Sequence, residues 1–209
     1  MKQKKSLALR LVTIMLAVSI GAPAGFAAGA PNPPANPSGK PSTPPAPGAW
    51  IARSNEYAQI PLKVLAKFNP EGAGQIGVEG LDREIIDLKP QLTARFRKAV
   101  DDAKLALQEK MKTEKEPAVR QDLEILIDSS DDAAKGIELT EKYLLPYISA
   151  SKIAYQGIRA LLDDQVEAAR RPAALVRLKR YAGMEPGYTP LTQLAMDRTR
   201  ERMKISGLL

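Results

Sequence analysis

Apolar residues recur with helical spacing through most of the chain after residue 49. The clearest stripe falls on positions i, i+4, i+7, i+8, i+11, i+15 and i+19 and comprises Leu92, Phe96, Ala99, Val100, Ala103, Leu107 and Met111. Because this spacing places every member on one side of a helix, it predicts an amphipathic α-helix. No segment of useful length alternates with period two, so we expect no substantial β-sheet.

The segments on either side predict two more long helices. Residues 50–68 carry an apolar face that contains Pro61, so we expect a kink or two short helices there. Pro90 lies where a proline is tolerated in the first turn of the central helix, and Pro117 opens the helix after it. The apolar stripe of that later helix comprises Val119, Leu123, Leu126, Ala133, Ala134, Ile137, Leu144 and Leu145.

Three shorter helices are expected in the last third. The first begins near Pro146 and has an apolar side that comprises Ile148, Tyr155, Ile158 and Leu162. Pro172 opens or kinks the second, which ends at the Gly183 C-cap signal and has Leu175, Leu178 and Ala182 as its apolar side. The third runs over residues 191–204. Basic residues are frequent here, but interleaved acids favour an ordinary salt-bridged helix surface.

These elements predict an all-α fold, an array of five or six mostly antiparallel helices with short connections. About 160 residues can bury roughly 68–70% of their unfolded surface, which suffices for an independent core. The expected domain covers residues 49–209, and residues 65–88 form a long, ordered, glycine-rich loop within it. Its glycines are Gly72, Gly74, Gly77 and Gly80.

The N-terminal segment predicts export. A basic start, an apolar run over residues 11–20 and small residues before Ala27 together indicate a signal peptide over residues 1–27, which is too short to span a bilayer. Residues 28–48 are rich in proline and predict a disordered linker. We therefore expect a protein that is periplasmic or extracellular, with its signal cleaved near Ala27.

Charge and missing residue types exclude several functions. The net charge is +7, but four of the 31 basic residues lie in the first ten. The other 27 basic residues face 24 acidic ones, which leaves a net charge of only +3, and aromatic residues are few. Nucleic-acid binding is therefore not expected. The absence of cysteine excludes disulfides, thiol catalysis and a lipidated cysteine anchor. The absence of histidine excludes a Ser-His-Asp triad, an HExxH helix and a conventional catalytic zinc site.

Four short patterns invite catalytic or binding roles, but each lacks its necessary context. Residues 72–77 match GxGxxG without a preceding strand, and residues 149–152 match SxxK without its companion motifs. The acidic pairs at 101–102, 131–132 and 163–164 point about 100° apart on a helix and cannot act as facing carboxylates. Glu124, Asp128, Asp131 and Asp132 lack calcium-loop spacing. We therefore predict no catalytic, cofactor-binding or metal-binding residue.

Two segments resemble a known family. They are FNPEGAGQIGVEGLDREIIDL, which ends at Leu88, and LVRLKRYAGMEPGYTPLTQLA, at residues 175–195. They resemble the secreted bacterial family catalogued as domain of unknown function 885, whose fuller members look like zinc metallopeptidases. The resemblance covers residues from about 50 to the end. It implies that this region corresponds to the N-terminal helical part of the family's longer members. The zinc-binding and catalytic residues of that family would lie downstream, so no residue role carries over.

The hypothesis that follows is a non-catalytic domain of an exported metallopeptidase-like protein, present as a fragment or short form, with residues 65–88 at the rim of a substrate cleft. Its partner would be a missing C-terminal catalytic part, and the apolar ending Leu208-Leu209 suits such truncation. The alternative is a self-standing periplasmic module that binds a peptide, a lipid headgroup or a protein. A third hypothesis is a histidine-free hydrolase that depends on Glu79 or Asp82.

Overall fold

The computed structural model describes residues 48–145 and 147–204. Within these ranges the chain forms seven α-helices and no strand, which confirms the predicted all-α class. The helices are α1 (Ala49–Phe68), α2 (Pro70–Gln75), α3 (Leu92–Thr113), α4 (Pro117–Tyr143), α5 (Ala150–Leu162), α6 (Ala173–Tyr181) and α7 (Leu191–Met203), with a 3₁₀ turn at Ala168–Arg170. The predicted signal peptide, residues 28–47 of the linker and the last five residues lie outside the described residues.

Helices α1, α3 and α4 pack against one another as a three-helix bundle. One end of this bundle is filled by aliphatic side chains, of which Leu107, Val119, Leu123 and Leu126 belong to the predicted stripes; the set comprises Ala58, Leu62, Leu65, Leu107, Val119, Leu123 and Leu126. All seven are less than 5% exposed. The burial of these side chains supplies the main driving force for the bundle.

The segment around the glycine-rich loop is more helical than its composition predicted. α1 continues through Pro61 as one helix, so of the two alternatives, a kink or two short helices, the second is wrong; the helix ends at Phe68. Asn69 then caps the short helix α2, because its side-chain oxygen accepts a 3.0 Å hydrogen bond from the Gly72 amide. Pro70 stands at the first helical position, where its missing N–H costs nothing. The irregular segment is therefore limited to residues 76–91.

Helices α5 to α7 cover the other end of the bundle. α5 packs against α6, and α7 contacts α5. Tyr181, Leu191 and Ala195 from this layer join a second buried cluster with Phe68, Leu88, Leu92, Val100 and Ala133. The glycine-rich segment lies between the two groups of helices, because Leu88 belongs to this cluster while Val78 and Leu81 pack on the first one.

The apolar side predicted for α6 is wrong, and that predicted for α5 is right only for Ile148 and Ile158, which are partly buried against the core. Tyr155 and Leu162 of α5 are 63% and 52% exposed, and Leu175 and Leu178 of α6 are 57% and 48% exposed. Leu144, predicted as the end of the α4 stripe, is also exposed. The residues that α5 and α6 bury are instead Gly157, Leu161, Ala173, Ala174, Arg177 and Tyr181. α5 also begins at Ala150, after Pro146.

Two arginines of α7 are buried, although the sequence predicted that they belong to an ordinary salt-bridged helix surface. Arg202 is 2% exposed and donates to the carbonyl oxygens of Thr140, Glu141 and Leu144 at the end of α4. Arg198 is 5% exposed and donates to the Thr93 hydroxyl on α3. Buried guanidinium groups require such partners, and these contacts fasten α7 to the bundle.

The predicted C-cap at Gly183 is present. Gly183 has a φ of 69°, and the amides of Gly183 and Met184 donate to the carbonyls of Arg180 and Lys179 in a Schellman pattern. A side chain here would lie 2.7 Å from the backbone nitrogen of Pro190. Glycine thus allows both the left-handed turn and the close return of the chain to α7.

Candidate functional site

A cavity of about 350 Å³ lies between the glycine-rich region and the connection from α5 to α6. α2 and the loop after it form one wall, and the end of α5, the 3₁₀ turn and α6 form the other. Its charged lining includes Glu71, Asp82, Arg170 and Arg177, and its apolar lining includes Leu161 and Val166. The volume falls in the range of small-molecule sites.

Glu71 lies in the first turn of α2, where the helix N-terminus favours a carboxylate. The residue is 8% exposed. Its Oε1 accepts hydrogen bonds from the Tyr181 hydroxyl at 2.7 Å and from the Ile86 amide at 2.9 Å. Its Oε2 is buried and has no hydrogen-bond partner among the described residues. Oε1 of this carboxylate therefore accepts two hydrogen bonds, and Oε2 accepts none from the described residues.

Tyr181 approaches Glu71 because Gly157 leaves room for it. A Cβ on Gly157 would lie 3.1 Å from the Tyr181 Cζ and closer still to the hydroxyl oxygen. Burial raises the pKa of the Tyr181 phenol, and the neighbouring Glu71 carboxylate raises it further. The phenol therefore stays protonated at neutral pH and acts as a hydrogen-bond donor.

Arg177 joins the two walls of the cavity. It is 2% exposed and donates to the carbonyl oxygens of Leu81 at 3.1 Å, Glu84 at 3.1 Å and Gly157 at 2.8 Å. Two of these acceptors lie in the glycine-rich segment and one lies in α5. Because carbonyl groups carry no net charge, the guanidinium is satisfied as a donor without forming an ion pair.

Asp82 and Arg170 form an ion pair that also joins the two walls. Arg170 donates from Nε at 2.8 Å and from Nη2 at 2.7 Å to the two carboxylate oxygens. These hydrogen bonds hold the pKa of Asp82 below its usual value, although partial burial opposes the shift. Asp82 therefore stays ionised and has no proton to give as a general acid near neutral pH.

The other candidate residues from the sequence do not converge on the cavity as a catalytic set. Glu79 is exposed, and Gly72 and Gly74 belong to α2 instead of a phosphate-binding loop. Ser149 caps α5 by accepting from the Lys152 amide at 3.4 Å, and the Lys152 side chain is exposed. Among the acidic pairs, only Asp163 lines the cavity. The four carboxylates considered for calcium, Glu124, Asp128, Asp131 and Asp132, are exposed on α4.

A second, more open depression of about 510 Å³ lies beside Glu114, between α1 and the turn from α3 to α4. The Glu114 carboxylate accepts hydrogen bonds from Arg53 at 3.0 Å and from Tyr57 at 3.3 Å. It also accepts hydrogen bonds from the amides of Lys115 and Glu116. The contacts of Arg53 and Tyr57 fix the turn to α1, and the two amide contacts hold the turn itself. Because both oxygens of Glu114 are occupied, this depression offers a ligand less than the cavity at Glu71 does.

Sequence reasoning missed Glu71, Arg177 and Tyr181. The spacing of the four buried residues of α6 matches a helical stripe; they are Ala173, Ala174, Arg177 and Tyr181. The nearby Leu175 and Leu178 are more hydrophobic, and for that reason the sequence predicted their side of the helix as the buried one. Glu71 stands directly after Asn-Pro, a helix-start signal that the glycines obscured.

Comparison of the sequence with protein-family models, curated proteins and solved structures found no match. In the part of the chain that the structure describes, no helix is long and apolar enough to cross a membrane. The same part contains no group of three or more acidic, histidine or cysteine side chains arranged to hold a metal ion.

Proposed function

We propose that the chain is an exported, non-catalytic helical binding domain that forms one wall of a substrate cleft, as the N-terminal part of a metallopeptidase-like protein would. The observation that carries the binding role is the cavity at Glu71. It combines an apolar side at Leu161 and Val166 with a charged side that includes a buried carboxylate with one unused oxygen. Ligand sites commonly pair an apolar lining with a few convergent polar groups.

The position of the cavity supports the role of a cleft wall. The sequence singled out residues 65–88 as the rim, and both Glu71 and Asp82 of that segment line the cavity. The facing wall comes from α5 and α6, far away in sequence. A ligand between them would contact two groups of helices at once.

The second candidate function is a self-standing binding module. It is favoured by the extent of the core, because the described helices bury two connected clusters of apolar side chains and fasten α7 with buried arginines. The mass of the native exported protein separates the two proposals. Cleavage of the predicted signal after Ala27 would leave 182 of the 209 residues. A single species of that length supports the module, whereas a much longer species supports the cleft wall of a larger protein.

Binding itself can be tested by amide NMR of the purified full chain with a mixture of short peptides. We expect shift changes confined to residues around the cavity, and we expect Ala160→Trp to remove them because Ala160 lines the cavity. Ala94→Trp is the matched control, since Ala94 is exposed on α3.

The absence of shift changes would contradict the proposal, as would changes that Ala160→Trp leaves intact. Hydrolysis of the peptides that is lost in Asp82→Ala would support the carboxylate hydrolase instead.

A further inference from the structure

The Glu71 carboxylate is an incomplete hydrogen-bonding group on a residue that lines a cavity. Five buried side-chain atoms have no partner among the described residues, and of their residues only Glu71 lines either of the two cavities. Leaving a buried charged acceptor unpaired is costly, so such an atom on a residue that lines a ligand-sized space is evidence for a missing donor.

The missing donor is expected to carry positive charge. The two groups that bind Glu71 Oε1 are a phenol and a backbone amide, both neutral. No lysine or arginine among the described residues lies within 4.0 Å of the Glu71 carboxylate. The two arginines of the lining are committed elsewhere, Arg170 to Asp82 and Arg177 to carbonyl groups. A cation from the ligand would complete the site.

The geometry favours an ammonium group over a guanidinium group. A guanidinium binds a carboxylate best through two parallel hydrogen bonds to both oxygens, but Oε1 already accepts two hydrogen bonds. An ammonium is a compact donor that needs one oxygen only. The apolar lining at Leu161 and Val166 further suits a ligand whose amine is attached to an aliphatic group.

From these observations we propose that the cavity binds a primary amine with an aliphatic side chain, and that Glu71 Oε2 accepts a hydrogen bond from its ammonium group. This inference rests on the proposed binding function and specifies its ligand chemistry. Because Oε2 itself is shielded from solvent, contact with it requires the walls to separate, and the Asp82–Arg170 pair that joins them is 25% and 43% exposed. Partly exposed ion pairs are weak enough to open.

The test uses two compounds that differ in one charge, leucinamide and N-acetyl-leucinamide. Both are titrated into the full-length chain at pH 6.5, where an α-amino group with a pKa of about 8 is protonated. Amide NMR gives Kd for each. We expect leucinamide to bind about 10- to 100-fold more tightly, because it alone makes a charge-assisted hydrogen bond.

Glu71→Gln is expected to abolish the preference for the amine, since it replaces the acceptor with an amide of the same shape. Glu124→Gln is the matched control: it makes the same substitution at an exposed carboxylate on α4, outside the cavity lining, and is expected to keep the preference. If Glu71→Gln fails to fold, the comparison of the two compounds on the natural chain still decides.

Equal Kd values for the two compounds, or no binding of either, would overturn the inference. A preference that persists in Glu71→Gln would also overturn it. If peptides still shift cavity residues and Ala160→Trp removes those shifts, the binding function stands and only the ammonium assignment fails. If peptides give no shifts either, both proposals fail.

Discussion

The two ends of this molecule are held together by different chemistry. Around Leu123, helices α1, α3 and α4 meet mainly through aliphatic side chains, with polar contacts such as those of Glu114 at the margin. Around Arg177, the glycine-rich segment meets α5 and α6 through a buried guanidinium, a buried carboxylate and a tyrosine hydroxyl. The first kind of contact is non-directional and tolerates small shifts, whereas the second depends on donors and acceptors being placed within a few tenths of an ångström.

This difference also separates stability from function. At the aliphatic end the cluster buries its side chains against one another, and in the depression beside it both oxygens of Glu114 already accept hydrogen bonds. The polar end contains the cavity and the unused oxygen of Glu71. Binding sites commonly retain polar groups that a purely structural core would replace, because those groups give specificity at some cost in stability.

The largest effect should come from the aliphatic end. Leu123→Ala removes a fully buried side chain from α4 and is expected to lower the free energy of unfolding by about 4 kcal/mol. Urea unfolding followed by circular dichroism measures this. Leu139→Ala on the same helix is the control, since Leu139 is 48% exposed and its loss should cost less than about 0.5 kcal/mol. Similar losses for the two variants would contradict the assignment of this core.

Arg177→Met tests the polar end. It removes the donor for three carbonyl oxygens and should cost about 3 kcal/mol, although it adds an apolar side chain to a buried position. Lys179→Met, an exposed position on the same helix, should change stability by less than about 0.5 kcal/mol. A stabilised Arg177→Met variant in urea unfolding would show that packing, and not the carbonyl contacts, holds this end.

Gly157→Ala should have an intermediate effect of about 2 kcal/mol. The added methyl group displaces Tyr181, so the buried Glu71 carboxylate loses a donor. Gly136→Ala is the matched control inside α4, where nothing lies within 4 Å, and it should stabilise by about 0.5–1 kcal/mol. Tyrosine fluorescence and thermal unfolding measure both variants. Equal changes in the two would mean that Tyr181 can move without cost.

The smallest effect concerns pH. Burial alone would raise the pKa of Asp87, but hydrogen bonds from Arg95 and the Lys89 amide outweigh it and hold that pKa below its usual value. A carboxyl whose pKa is lower in the folded state contributes stability above its unfolded pKa of about 3.9 and loses it as pH falls through the folded pKa. We expect a contribution of no more than about 1 kcal/mol after solvent screening.

Urea unfolding of the natural chain and Asp87→Asn between pH 6 and pH 2 measures this contribution. The two curves should differ at pH 6 and converge toward pH 2. A constant difference across this range would contradict the role of the ionised carboxylate. Leu123→Ala should show no such convergence, because an aliphatic side chain does not titrate.

The sequence was sufficient for the aliphatic end and insufficient for the polar end. Val119, Leu123 and Leu126 of α4 are buried as predicted, because helical periodicity and hydrophobicity point to the same side. On α6 the two signals disagree, and hydrophobicity favoured Leu175 and Leu178, which are exposed. The cavity could be placed only in part: its glycine-rich wall was expected, but the pairing with α5 and α6 was not.

The amino-acid sequence by itself determined the helical class, the apolar stripes of α3 and α4 and the glycine C-cap at Gly183. Each depends on residues close together in the chain, so local spacing contains the information. Only the tertiary structure decided that Arg177 is buried and that Glu71 faces a cavity. The acceptors of Arg177 at Leu81 and Glu84 lie 96 and 93 residues away, and a buried charge is tolerated only where such distant partners meet it.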